Sequence, residues 1–183
     1  MKTYVSRHKP FLIFLGKFFL AYVILTVGYQ YYLSGFDQQQ LEVDPITKSI
    51  GGQTQWLLEL FSVDAKVIGH PKQPALKIIY NGKYVARIIE GCNAVSVMIL
   101  FAAFVVAFTG RTKQTILFIL AGCLLIHLLN IGRIVLLSSM IFHFPEHENF
   151  LHGVIFPLII YSVVFILWVI WVNKFSKYAK KAV

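Results

Sequence analysis

Residues 115–142, TILFILAGCLLIHLLNIGRIVLLSSMIF, decide the fold of this chain. An α-helix rises about 1.5 Å per residue, so about 20 apolar residues cross the roughly 30 Å hydrocarbon core of a bilayer. This run is long enough, and similar apolar runs occupy residues 11–33, 93–109 and 153–172. We therefore predict an all-α integral membrane protein, a single domain over residues 1–183 with about four transmembrane helices.

The charge distribution supports this prediction and excludes a nucleic-acid partner. The chain is 57% hydrophobic, 14% charged and has a net charge of +9. With four spans, the basic residues that flank them share one side: Lys2, Arg7, Lys9, Arg111, Lys113, Lys174, Lys177, Lys180 and Lys181. All eight acidic residues lie on the other side: Asp37, Glu42, Asp44, Glu59, Asp64, Glu90, Glu146 and Glu148. This asymmetry predicts cytoplasmic termini and an attraction to anionic membrane lipid.

The first apolar run follows basic residues, as a signal peptide does. It is too long for the apolar region of a signal peptide and has no A-x-A cleavage site, so we interpret it as a retained anchor.

The main polar segment, residues 34–90, lies between the first two spans and is predicted to be external. Residues 46–62, ITKSIGGQTQWLLELFS, have near-helical apolar spacing, which suits a short helix in the membrane surface. Residues 75–89, ALKIIYNGKYVARII, contain two β-rich runs around Asn81-Gly82, the signature of a β-hairpin. An isolated hairpin is marginally stable, so we expect it to pack on the surface helix or the membrane face.

Three polar side chains from different spans are predicted to reach the outer membrane boundary together. Counting about 18 residues back from the basic loop 111–113 brings the second span to this boundary beside Cys92. Counting about 20 residues forward from the same loop brings the third span to Arg133. Counting about 20 residues back from Lys174 brings the fourth span close to His152. The sequence therefore predicts one external cluster.

These residue types suit acyl transfer by a cysteine nucleophile. A nearby cation and a helix N-terminus favour the thiolate form of Cys92, and Arg133 is a donor for an oxyanion. His152 is a candidate acid/base, since histidine exchanges protons near neutral pH. Asn130, one turn below Arg133, is predicted to orient the guanidinium or bind across helices. Glu90 is predicted to orient a partner or cap the hairpin.

Each residue also has a structural interpretation. Cys92 and Cys123 are compatible with small apolar fillers, and their different depths argue against a disulfide. Arg133 is able to snorkel to the headgroups, although charge inside a membrane is costly and often functional. His152 is compatible with an ordinary interfacial histidine. These interpretations leave two alternatives, a non-catalytic membrane assembly factor and a small transporter in which Arg133 binds an anion.

A zinc site is disfavoured. His143-Phe144-Pro145-Glu146-His147 matches H-x-x-E-H, a zinc-peptidase pattern that requires both histidines on one helical face. Pro145 disfavours helical geometry inside the motif. We therefore predict no metal and no organic cofactor. His127 is predicted to be a hydrogen-bonded interior histidine.

Three stretches together resemble the exosortase and archaeosortase family of membrane cysteine transpeptidases, most of all its compact exosortase F branch. They are EGCNAVSVMILFAAFVV, LLNIGRIVLL and FLHGVIF, in this order. The resemblance implies that Cys92 is the nucleophile, Arg133 the arginine of an N-x-x-R motif, and His152 the final basic residue. In one departure, Asn93-Ala94 stands where family members often have Ser-Gly after the cysteine.

The resemblance also implies a function and a location. Such an enzyme would be a multi-pass protein of the bacterial cytoplasmic (inner) membrane with its active site on the external, periplasmic side. Its partners would be exported proteins whose C-terminal tails carry a short motif, a transmembrane helix and a basic cluster. It would cleave this sorting signal near the outer membrane surface and transfer the acyl group to an acceptor.

Overall fold

The computed structural model describes the backbone of residues 2–36, 40–108 and 110–176, and the side chains there except at residues 2–7 and 10. Four charged residues used to predict the topology, Asp37, Lys177, Lys180 and Lys181, lie outside the described residues. The helices are α1 (Lys2–Leu33), α2 (Pro45–Leu60), α3 (Val95–Ala107), α4 (Thr112–His143) and a C-terminal helix (Pro145–Phe175).

The chain is a helical membrane protein. Within the described ranges, three helical segments are long and apolar enough to cross a membrane: Phe11–Leu33, Thr112–His143 and Pro145–Phe175. Large apolar side chains on their outer surfaces are exposed, including Leu120, Leu124 and Leu128 at four-residue spacing along α4. A stripe of this kind is suited to contact with lipid and unsuited to contact with water.

The predicted span at residues 93–109 corresponds to a shorter helix. α3 has 13 residues, which corresponds to about 20 Å of helix, less than the roughly 30 Å hydrocarbon core. It begins only after a turn at Asn93-Ala94 and ends at Phe108. The presence of a fourth span therefore stays a prediction.

α1 and α3 pack antiparallel. At one end, the ring centroids of Phe14 and Phe108 lie 4.4 Å apart. At the other end, the Asn93 side-chain amide donates a hydrogen bond of 2.8 Å to the Tyr29 hydroxyl. The beginning of α3 therefore lies beside the end of α1.

α4 and the C-terminal helix complete the bundle. The Phe101 ring of α3 packs over Gly122 of α4, where an added Cβ would lie 2.3 Å from the ring. At the same end as Phe14, the Trp171 indole N–H donates to the Phe108 carbonyl at 3.3 Å. At the opposite end, Asn130 of α4 contacts the backbone of Cys92. The fold thus has an aromatic end and a polar end.

The segment between α1 and α3 contains a three-stranded antiparallel sheet in the order β1 (Ala65–Gly69), β2 (Leu76–Tyr80), β3 (Lys83–Ile88). The predicted hairpin is confirmed. Asn81 has φ 48° and Gly82 has φ 76°, the positive angles that a type I′ turn requires. The sequence did not predict β1, which pairs along β2 and supplies the third strand that an isolated hairpin lacks.

α2 matches the predicted surface helix and carries the sheet on one face. The Asp44 carboxylate accepts the Thr47 N–H at 2.9 Å and caps the first turn. Gly51 lies inside α2, where an added Cβ would approach a Leu76 methyl to 2.5 Å, so glycine permits close packing against β2. The buried face joins the sheet and α4 in one apolar core. Three large apolar side chains at the end of α2 are exposed: Trp56, Leu60 and the C-cap residue Phe61.

Candidate active site

Cys92 lies in a short turn at the polar end of the bundle. The 3-10 turn Glu90–Cys92 connects β3 to α3, and the Cys92 N–H donates to the Ile89 carbonyl at 2.9 Å. Cys92 is half-buried and packs against the apolar core shared by α2, the sheet, α4 and the C-terminal helix. Its thiol is free and is held where the polar segment enters the helical bundle.

Asn130 attaches this turn to α4. Its side-chain amide is fully buried and donates a hydrogen bond of 2.8 Å to the Cys92 carbonyl oxygen. The sequence predicted that Asn130 orients Arg133 or binds across helices, and the observed bond is of the second kind. Its side-chain oxygen is buried and has no hydrogen-bond partner among the described residues.

Arg133 lies three residues further along α4, beside the C-terminal helix. It lines a largely apolar cavity of about 170 Å³ between the two helices, together with Leu128, Leu129, Gly132, Leu136, Phe156, Ile159 and Ile160. Its Nε is buried and has no hydrogen-bond partner within the described parts of the chain. A buried donor without a partner costs about 1–3 kcal/mol. An unpaired donor at this position is therefore unfavourable for folding.

His152 is exposed on the C-terminal helix. It lies in a π-helical stretch, Leu151–Ile155, just before Pro157. Proline has no N–H and its ring presses on the carbonyl four residues earlier, which explains a widened turn here. Leu151 and Phe156 are buried, and Phe156 lines the same cavity as Arg133. His152 thus lies about one turn from this cavity, on the outer side of the helix.

Glu90 is half-buried and begins the 3-10 turn, immediately after the sheet. It lines a second cavity, of about 390 Å³, with Gln30, Leu33, Ser34, Phe36, Glu42, Val43, Asp44 and Pro74. Glu90 therefore shares this cavity with the end of α1.

Asn93 and Tyr29 were missed by the sequence interpretation. The Asn93 side-chain oxygen accepts the Val95 N–H at 3.0 Å and satisfies a free N–H at the start of α3. Its amide donates to the Tyr29 hydroxyl at 2.8 Å and to the Thr47 hydroxyl at 3.3 Å. The sequence feature that could have identified Asn93 is its position directly before an apolar helix, where asparagine is a common capping residue.

Ala94 adopts a conformation that favours glycine. Its φ and ψ are 61° and 8°, in the left-handed region that costs an L-residue about 1–2 kcal/mol. The glycine often found here in the family that the sequence resembles would adopt the same turn without this cost. Ala94 therefore holds a strained conformation directly before α3.

Substitutions at Ala94 test this conformation. We expect Ala94→Gly to change the free energy of unfolding by less than about 1 kcal/mol, because relief of strain offsets loss of a buried methyl group. Ala94→Val should destabilise by about 2 kcal/mol or more, because branched side chains fit positive φ poorly. Thermal unfolding in detergent measures both variants. A valine variant as stable as wild type would contradict the left-handed turn.

The remaining candidates occupy structural positions. His127 is hydrogen-bonded to the Gln53 side chain at 2.8 Å, as predicted for an interior histidine. Cys123 is half-buried and packs in a different apolar cluster from Cys92. The H-x-x-E-H residues do not share a helix, because α4 ends at His143 and a 3-10 turn begins at Pro145. No group of three or more His, Cys, Asp or Glu side chains in the described ranges is placed to hold a metal ion.

The site therefore combines a cysteine turn, an asparagine that fixes it to α4 and a half-buried arginine on the same helix. The predicted histidine is exposed on the C-terminal helix and does not line the cavity beside Arg133. Comparison of the chain with protein-family models, with curated proteins and with solved structures gives no match.

Proposed function

We propose that this protein is a membrane-embedded cysteine peptidase and transpeptidase of the exosortase kind. It cleaves C-terminal sorting signals of exported proteins near the outer surface of the bacterial cytoplasmic membrane and transfers the acyl group to an acceptor. One observation carries the proposal: the hydrogen bond of 2.8 Å from the Asn130 amide to the Cys92 carbonyl. It joins the backbone of Cys92, whose thiol is free, to the helix that also contains Arg133.

In the proposed reaction, the Cys92 thiolate attacks the carbonyl carbon of the scissile peptide bond. The tetrahedral oxyanion is stabilised by the Arg133 guanidinium, and the C–N bond then breaks to leave a thioester on Cys92. His152 supplies the proton that the departing amine takes up. An acceptor amine or hydroxyl, or water, then attacks the thioester and gives its proton to His152, which restores the Cys92 thiolate and the protonated imidazole.

The cavity beside Arg133 suits a substrate that arrives through the membrane. Its lining is mostly apolar, and Leu128 and Leu136 on its rim are exposed on the outer surface of α4. A substrate tail with its own transmembrane helix would approach from the lipid and bring its scissile peptide bond to the level of this cavity. The exposure of His152 leaves its imidazole accessible to such a tail. Holding the peptide beside the thiol supplies a large effective concentration.

Co-expression with candidate substrates tests the proposal. Exported proteins from the same bacterium that end in an apolar helix and a basic cluster would be expressed with wild type, Cys92→Ala, Cys92→Ser or Cys123→Ala. We expect shortening of the substrate with wild type and Cys123→Ala, and none with either Cys92 variant, because a serine hydroxyl is a weak nucleophile without a strong base. Gel mobility and mass spectrometry of the new C-terminus give the readout. Processing by Cys92→Ala would eliminate the proposed nucleophile.

A further inference from the structure

The turn that carries Cys92 is held by more contacts than the proposed chemistry uses. Asn93 is 1% exposed, and both polar atoms of its side chain are engaged. The oxygen caps α3 through Val95, and the amide reaches α1 at Tyr29 and α2 at Thr47. One buried side chain next to the thiol therefore joins three helices.

Tyr29 is the central member of this network. It is 8% exposed, and its hydroxyl accepts a hydrogen bond of 2.8 Å from the Asn93 amide. Asn93 directly follows Cys92. The Tyr29 hydroxyl thus holds one side of the nucleophile turn from a helix that contributes no residue to the proposed chemistry.

The turn needs this support because its backbone is strained. Ala94 holds a left-handed conformation, and such conformations persist only where the surroundings determine them strongly. Hydrogen bonds between buried groups are strong in a low-dielectric interior, and losing one partner leaves the other unsatisfied. Removal of the Tyr29 hydroxyl would leave the Asn93 amide with its weaker bond to Thr47, which is 3.3 Å long.

We infer that Tyr29 is a positioning residue for the Cys92 thiol, acting through Asn93. This inference rests on the proposed cysteine chemistry. It makes the first membrane helix part of the active site, whereas the sequence indicates only an anchor. A displacement of the nucleophile by about 1 Å lowers a reaction rate by about 100-fold, so a loosened turn affects kcat more than substrate binding.

The conservative variant is Tyr29→Phe, which keeps the ring and its stacking on Tyr32 and removes only the hydroxyl. We expect kcat for substrate processing to fall about 10- to 100-fold, with KM within about a factor of three. The matched control is Tyr31→Phe in the same helix, where the side chain is 83% exposed, and it should behave as wild type. A Tyr29→Phe, Asn93→Ala double variant should lose little more than the worse single variant, because both act through one network.

A second readout needs no substrate. Amide hydrogen exchange should become faster in Tyr29→Phe at residues 90–95, while exchange in the middle of α4 stays as in wild type. Unchanged exchange in the turn, or wild-type kcat for Tyr29→Phe where Cys92→Ala is inactive, would overturn the positioning role and leave the proposed enzyme standing. Processing by Cys92→Ala would instead remove the proposed function together with this inference.

Discussion

Replacing Arg133 with methionine should lower kcat/KM for peptide processing by about 10²- to 10³-fold, the loss typical of removing one oxyanion donor. Methionine has a similar length and keeps apolar contacts in the cavity between α4 and the C-terminal helix. It cannot donate a hydrogen bond to the tetrahedral intermediate or stabilise a thiolate by charge. Substrate processing by membranes that contain equal amounts of each variant provides the measurement.

The same substitution should leave the protein at least as stable. Since Arg133 Nε is buried without a partner in the described ranges, its removal should raise the free energy of unfolding by about 1 kcal/mol or leave it unchanged. Loss of activity without loss of stability separates a catalytic group from a structural one. Thermal unfolding in detergent would be measured on the preparations used for activity.

Two further variants act as controls for Arg133. Arg133→Lys keeps the charge and lacks the planar set of donors, so we expect only partial activity. Arg87→Met changes an exposed arginine on β3 and should have no effect on processing. An Arg133→Met variant that processes substrate at the wild-type rate would refute the assigned role. The assigned role would also be refuted if the loss of activity were no larger than the loss of folded protein.

Asn130→Asp should reduce both stability and processing. The carboxylate has nearly the same shape as the amide and cannot donate to the Cys92 carbonyl, which is the bond that fixes the turn to α4. Because position 130 is fully buried, an ionised carboxylate there loses its hydration, which is costly. We expect destabilisation by about 3 kcal/mol or more, and processing below about 1% of wild type.

The control for this charge change is Asn173→Asp, an exposed asparagine in the C-terminal helix. It should leave both the unfolding temperature and the processing rate unchanged. Asn130→Ala removes the donor without burying a charge and should therefore lie between wild type and Asn130→Asp in stability. A fully stable and active Asn130→Asp protein would show that the Cys92 turn does not depend on this bond.

Features set by neighbouring residues were predictable from the sequence. The hairpin at Asn81-Gly82 follows from a turn that requires two positive φ angles. The short helix predicted over 46–62 is observed at Pro45–Leu60, because its apolar spacing and the capping Asp44 act within one or two turns. The apolar runs of α1, α4 and the C-terminal helix likewise follow from composition and length.

Features that depend on distant contacts were not predictable in the same way. β1 is five residues long and gains its structure from pairing with β2. The partnership of Asn93 with Tyr29 joins residues 64 positions apart. Counting residues from the basic loops predicted only the depth of each candidate residue in the membrane. It did not predict how each helix is rotated, and therefore which way each side chain faces. The widened turn before Pro157, which places His152 on the exposed side, is a local departure from the regular helix assumed in counting.

The two contacts that hold the Cys92 turn become possible at different times during synthesis of the chain. Asn93, beside Cys92, is hydrogen-bonded to Tyr29, which lies 64 positions earlier in the chain. The Cys92 carbonyl is hydrogen-bonded to Asn130, which lies 38 positions later. As the chain leaves the ribosome, the partner in α1 is already present when Cys92 emerges. The partner in α4 arrives later. The Cys92 turn is therefore held by both contacts only after α4 has been synthesised.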